Sequence, residues 1–103
     1  MRLSFRISEL ALEDLESIWS YTAVNWSSNQ ADRYYEEIIS QINTICDNPQ
    51  IGMSIAHIKD SHRKVGVNSH MIIYKVVNDV VFVDRILHMR MDIDGRLGDG
   101  GST

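Results

Sequence analysis

A chain of 103 residues, 44% of them hydrophobic and 23% charged, can bury one modest core and is too short for two ordinary domains. This composition excludes a disordered chain, and a net charge of −4 excludes a nucleic-acid binder that works through a global positive field. The charge is uneven, because residues 1–58 carry 3 Lys+Arg against 8 Asp+Glu whereas residues 59–103 carry 7 against 6, so any phosphate contact would be local to the second half.

Residues 2–7 alternate, which puts Leu3, Phe5 and Ile7 on one face of a half-buried strand. Because this pattern starts at once, without the apolar stretch of a signal peptide, and no apolar run approaches the ~18 residues of a membrane span, a cytoplasmic protein is expected. Ser8 is a helix N-cap with Glu9 in the first turn, and Ala11, Leu15, Ile18 and Thr22 recur as an apolar stripe widened by Leu12 and Trp19; this predicts a helix over 9–25. Ser27 with Gln30 three residues later forms a capping-box signature for a second helix, whose apolar positions are Ala31, Tyr34, Tyr35, Ile38, Ile42, Ile45 and Cys46. The link from Asn25 to Ser28 is short enough to force an antiparallel hairpin. Cys46, the single cysteine, reads as a core thiol in a reducing compartment.

Asn48-Pro49 and Gly52 stop the second helix, and an irregular loop runs to about Asp60. Three β-prone runs follow, around Val65 and Val67, over Met71–Val77 and over Val80–Leu87, the last two joined by an Asn78-Asp79 turn. Beyond His88 one helical turn to Leu97 is expected, then a frayed tail over 98–103. The expected fold is α+β in the order β-α-α-β-β-β, with a helical hairpin on one face of a small, mostly antiparallel sheet and a single domain over 1–97. If Val77 pairs with Val80, one face of the hairpin shows Ile72, Tyr74, Val76, Val81, Val83, Arg85 and Leu87. The other, wetter face shows Met71, Ile73, Lys75, Val77, Val80, Phe82, Asp84 and Ile86, with a Lys75–Asp84 ion pair. The helices should cover the first face, where Arg85 is an awkward charge. Either a bulge turns it outward or a helix acid pairs with it; Asp14, on the inner half of the first helix, is the candidate for a structural ion pair.

The string Arg63-Lys-Val-Gly-Val-Asn-Ser-His-Met-Ile-Ile-Tyr74, followed by Asp84-Arg-Ile-Leu-His-Met-Arg-Met-Asp92, resembles the ParE branch of the RelE/ParE toxin superfamily. Glu13-Asp-Leu-Glu-Ser-Ile-Trp-Ser-Tyr21, Trp26, Gln30-Ala-Asp-Arg-Tyr34, and Asn48-Pro49 with Gly52 extend the resemblance over nearly the whole chain. Two departures stand out: Met89 takes a position that is often glycine in the family, and the loop over 53–57 lacks an Arg-Pro that often follows the glycine. The resemblance implies a toxin of a type II toxin-antitoxin pair, without a cofactor, neutralised by a ParD-like or similar antitoxin. For ParE-like members the implied target is DNA gyrase, trapped in its DNA-cleaved state and bound without enzymatic activity of the toxin's own. For RelE-like relatives it is ribosome-bound messenger RNA, cut by the toxin. A folded, antitoxin-binding relic without toxicity is a third reading.

A metal-free ribonuclease needs several Lys, Arg, His or Tyr groups converging on one phosphate. Here RelE-like basic positions correspond to Gly66 and Met71, and no tyrosine follows Tyr74, so the sequence favours gyrase poisoning, with no catalytic residue. Arg63, Lys64, His88, Met89 and Arg90 are the candidate target-binding residues, although His88 also suits a structural role and Arg90 that of a rim charge. Trp19, Tyr21, Trp26 and Tyr34 are candidate antitoxin-binding residues, in a groove that takes an amphipathic helix; adding a strand to an open sheet edge is the other docking mode. His57, His62 and His70 share no metal-binding spacing, so no metal site is expected, nor direct sequence-specific nucleic-acid binding.

Overall fold

The computed structural model describes residues 2–90. The order is β1 (Ser4–Ile7), α1 (Glu9–Asn25), α2 (Ser28–Asp47), β2 (Met53–Ser54), β3 (Arg63–Val67), β4 (His70–Val77) and β5 (Val80–His88). Both helices begin as the caps predict, Ser8 Oγ accepting from Ala11 N–H at 3.0 Å and Ser27 Oγ from Gln30 N–H at 3.0 Å. The expected turn and tail beyond His88 lie mostly outside the described residues.

The sheet runs β1-β5-β4-β3-β2, with β1 parallel to β5 and the other pairs antiparallel. Residues 78 and 79 both adopt positive φ, 52° and 65°, as the tight β4–β5 turn requires. The two-residue strand β2 was not expected; it falls inside the predicted loop, too short to carry a periodic signal.

Ala11 and Leu15 of α1 and Ile38, Ile42, Ile45 and Cys46 of α2 pack against Ile72, Tyr74, Val81, Val83 and Ile86 of the sheet. Each such aliphatic side chain stabilises by ~1.5–3 kcal/mol when fully buried. Tyr74 is wholly buried and locks the loop after α2 to this core, donating to Pro49 O at 2.8 Å and accepting from Gly52 N–H at 2.9 Å.

The predicted faces hold only up to Val83. Tyr74 pairs with Val83 but Ile73 pairs with Arg85, so Asp84 is bulged out and the alternation reverses beyond it. Ile86, expected on the wetter face, belongs to the helix-side core, and Leu87, expected there, turns to the opposite face. That second face is not wet throughout. The loop after β2 covers one end of it, Ile55 and Ile58 packing on Met71, Ile73 and Leu87. The expected Lys75–Asp84 pair is replaced for the same reason: the bulged Asp84 meets Lys59 Nζ at 2.6 Å and His62 Nε2 at 3.5 Å.

Arg85 takes the second of the two anticipated solutions, its side chain only 19% exposed and facing the helices. It follows the bulge and pairs with Asp14, its Nε and Nη2 donating to the carboxylate at 2.9 Å each. Asp14 accepts Ile86 N–H at 2.9 Å as well, closing the β5 backbone where pairing with β1 has ended at Val83. These hydrogen bonds hold the guanidinium above its ordinary pKa.

Candidate functional site

The first turns of α2, the inner flank of α1 and the adjoining ends of β4 and β5 enclose a groove of about 890 Å³. Its position follows from the local chain. α1 ends at the Trp26 cap, whose N–H donates to Thr22 O, and α2 starts two residues later, so the tip of the hairpin projects Tyr21, Val24 and Trp26 into solvent. They are 67%, 84% and 75% exposed, an apolar cluster of a size and composition that marks interaction surfaces. The floor is set by the Asn68-Ser69 turn between β3 and β4, where Asn68 adopts φ 52°. Tyr34 Oη fixes this turn to α2, donating to Val67 O at 3.1 Å and meeting Nδ1 of His70 at 2.6 Å. Asn68 Nδ2 also donates to the Glu37 carboxylate, and Ser69 O accepts Met89 N–H at 2.8 Å.

Two imidazoles stand at the end of the groove. His70 and His88 are direct cross-strand partners, with ring centroids 5.1 Å apart in an edge-on arrangement, and Tyr34 lies 5.5 Å from His70. Burial, and next the neighbouring His88, lower the His70 pKa below the usual imidazole value, with Asp14 acting the other way. Burial raises the Tyr34 phenol. Among the described residues, the carboxylates on the lining are Asp14 and Glu37, and no Lys or Arg side chain contributes to it.

The residues singled out in the sequence divide differently in space. Tyr21, Trp26 and Tyr34 share the groove, and His88 joins them instead of standing with the other target-binding candidates. Trp19 lies off the groove, donating from Nε1 to Asp32 at 2.9 Å. Met89 and Arg90 are exposed just past β5, although the Met89 methyl rests over Gly66, where an added Cβ would meet its Cε at 2.9 Å. Arg63 and Lys64 are remote from them. Arg63 pairs with Tyr74 towards the far end of β4, roughly 15 Å from His88 by strand geometry, and its Nη1 donates to Gly52 O at 2.7 Å. The five target-binding candidates thus form two separate surfaces. His70 was missed as a groove residue. Its signal was the register: with paired residues summing to 157 it faces Leu87, and only the bulge brings it opposite His88. Among the described residues no group of three or more His, Cys, Asp or Glu is placed to hold a metal ion.

Residues 5–93 match the family model for the ParE toxin of the type II toxin-antitoxin system parDE. The chain belongs to the ParE toxin family. It is similar to Toxin ParE1 of Mycobacterium tuberculosis, 35% identical over 98 residues that span 94% of this chain and all of the relative. It is also similar to Toxin ParE1 of Caulobacter vibrioides, 31% identical over 94 residues, with 91% and 97% of the two chains covered. Among solved structures, a chain of the chromosomal ParDE system from P. aeruginosa superposes with a TM-score of 0.74 at 16% identity, covering 84% of this chain and 96% of that one. A chain of the toxin-antitoxin complex RelBE2 from Mycobacterium tuberculosis gives 0.67 at 12% identity, covering 85% and 99%. These likenesses establish the fold as that of ParE- and RelE-type toxins. This ParE-family chain is therefore a toxin of a type II toxin-antitoxin system, built as two helices on a mostly antiparallel sheet.

Proposed function

We propose that this toxin poisons DNA gyrase by binding, without enzymatic activity of its own, and that an antitoxin silences it by docking on the groove and the exposed helical tip. The observation that carries the non-enzymatic reading is the dispersal of the cations. A nuclease of this fold needs positive groups converging on one phosphate, yet Arg63 is turned to Gly52 O, Gly66 lies under the Met89 methyl, and Met71 is buried in the second core. The Tyr34–His70–His88 cluster has acid-base capacity, but among the described residues it lies in a groove lined by carboxylates and aromatics, an environment that repels phosphate. Met89 and Arg90, exposed at the end of β5, are left as the gyrase contact, with the guanidinium available to a carboxylate or to DNA phosphate held by the enzyme.

For the antitoxin, Tyr21, Val24, Trp26 and the groove beside them suit the apolar face of an amphipathic helix. The solved ParDE and RelBE2 systems, whose names pair toxin with antitoxin, support a partner of that kind. Action on gyrase would take place in the cytoplasm, and no described helix is long and apolar enough to cross a membrane.

Induced expression without antitoxin tests the reading. Chromosome breakage that precedes any fall in protein synthesis is the expected result. Immediate arrest of translation with cleaved transcripts would replace gyrase with the ribosome, and undisturbed growth of cells holding folded protein would make the chain an antitoxin-binding relic.

A further inference from the structure

The His70–His88 couple has no part in the function proposed above, yet its hydrogen bonding is specified. Arg90 N–H donates to Nδ1 of His88 at 3.1 Å, which puts the His88 proton on Nε2. Tyr34 Oη lies 3.1 Å from Val67 O and 2.6 Å from Nδ1 of His70; with the phenol proton assigned to Val67 O, the imidazole is the donor in the second contact. His70 therefore keeps a lone pair on Nε2, in a groove where burial favours the neutral ring.

Among the described residues the charged groups around His70 are few. α1 contributes Asp14, already bound by Arg85, α2 contributes Glu37 and the phenol of Tyr34, and β5 contributes His88. With Tyr21 and Trp26 at the mouth, the groove offers a neutral acceptor, a carboxylate whose neighbour is an uncharged amide, and aromatic faces. That set complements a cation and opposes an anion.

We propose that the groove seats a Lys or Arg side chain carried on the antitoxin's docking segment, accepted at Nε2 of His70, so that antitoxin binding is proton-sensitive through His70. The proposal rests on the groove being the antitoxin's site. Its sign follows directly: a cation beside His70 opposes protonation of the ring, so the complex holds fewer protons than its separated parts and affinity falls as pH falls. Because His70 is held below the ordinary value, the fall begins beneath about pH 6.5. Protonation also converts Nε2 from acceptor to donor, removing the hydrogen bond together with the favourable charge.

The test is calorimetric titration of the full chain with its cognate antitoxin, at pH 7.5 and 5.5, in two buffers of different ionisation enthalpy. Kd is expected to rise at least about threefold across that range, with net proton release on binding at the lower pH, a dependence that His70→Gln flattens to within about 1.5-fold. One antitoxin variant in a Lys→Gln or Arg→Gln series across its docking segment should lose both the affinity and the pH dependence. A flat Kd with no proton released by the unmodified pair overturns the inference, whether or not the histidine variants fold; so does an unchanged pH dependence in folded His70→Gln. Binding at pH 7.5 that is untouched by Tyr21→Ala with Trp26→Ala would instead remove the groove from the antitoxin interface. Sensitivity to those two changes with no pH dependence sinks the proton-sensitive seat alone.

Discussion

Replacing Asp14 by alanine should be among the most damaging single changes on the toxin's surface. The carboxylate takes three hydrogen bonds of 2.9 Å, two from Arg85 and one from Ile86 N–H, and the two side chains are only 15% and 19% exposed. Without it a mostly buried guanidinium loses its counter-charge, which costs ~3–5 kcal/mol for a fully buried pair. An orphaned N–H adds ~1–3 kcal/mol. Residual hydration of a group about one-fifth exposed reduces both, leaving about 3–6 kcal/mol in total, whose lower end already amounts to roughly 12–20 °C in melting temperature for a domain of this size. Thermal unfolding followed by circular dichroism measures it. Asp14→Asn, which keeps an oxygen for Ile86 N–H, should lose about half as much. Asp14→Ala combined with Arg85→Met should lose at least ~1 kcal/mol less than the two single losses added together, because the stranded charge is gone. A melting temperature within about 3 °C of the parent for Asp14→Ala, or strict additivity in the double variant, would refute the reasoning.

Other expectations follow from single contacts. A Cβ at Gly52 would lie 2.6 Å from Tyr74 Oη and 2.9 Å from the backbone oxygen of Lys64, so Gly52→Ala should lower stability by ~1–3 kcal/mol in urea unfolding. An unchanged midpoint would mean that the loop after α2 yields freely. The free toxin should lose stability as pH falls from about 6.5 through the lower folded-state value of His70, because a lowered imidazole pKa stabilises only while the ring is neutral. Melting scans of His70→Gln should be flatter over that window, and parallel profiles would contradict the assignment. Arg90→Ala should leave the unfolding free energy within ~0.5 kcal/mol of the parent while reducing toxicity on induction, since Arg90 is exposed beyond β5. Full toxicity would remove it from the gyrase contact.

Much of this architecture was legible in the sequence, for identifiable physical reasons. Ser8 and Ser27 announce the helices because a side-chain oxygen satisfies orphan N–H groups at a fixed offset. Asn78-Asp79 announces the β4–β5 turn because few residues tolerate two consecutive positive φ angles. The Asp14–Arg85 pair was legible as a conflict, a charge at a period-two core position that either a bulge or an acid on the facing helix had to answer. The bulge at Asp84 was not. Bulges have no local residue signature, and this one reverses the facing of Ile86 and Leu87, redirects Asp84 to Lys59 and aligns His70 with His88. Missing it hid the imidazole couple and half of the groove. The cover over the second face was equally silent, since Ile55 and Ile58 are isolated apolar residues in an irregular loop. The target-binding group failed to assemble because nearness in sequence to the end of β5 says nothing of Arg63 and Lys64, two strands away across the sheet.

Gyrase poisoning by binding, as proposed, is open to a test with purified components. The most direct measurement incubates purified gyrase with supercoiled plasmid, ATP and increasing amounts of the full chain, then releases trapped cleavage complexes with detergent and protease. Linear DNA that accumulates with toxin dose, diminishes with Arg90→Ala and disappears when antitoxin is added first is the predicted result. Plasmid that stays intact at every dose, while the same preparation cuts messenger RNA in a translating extract, would contradict it.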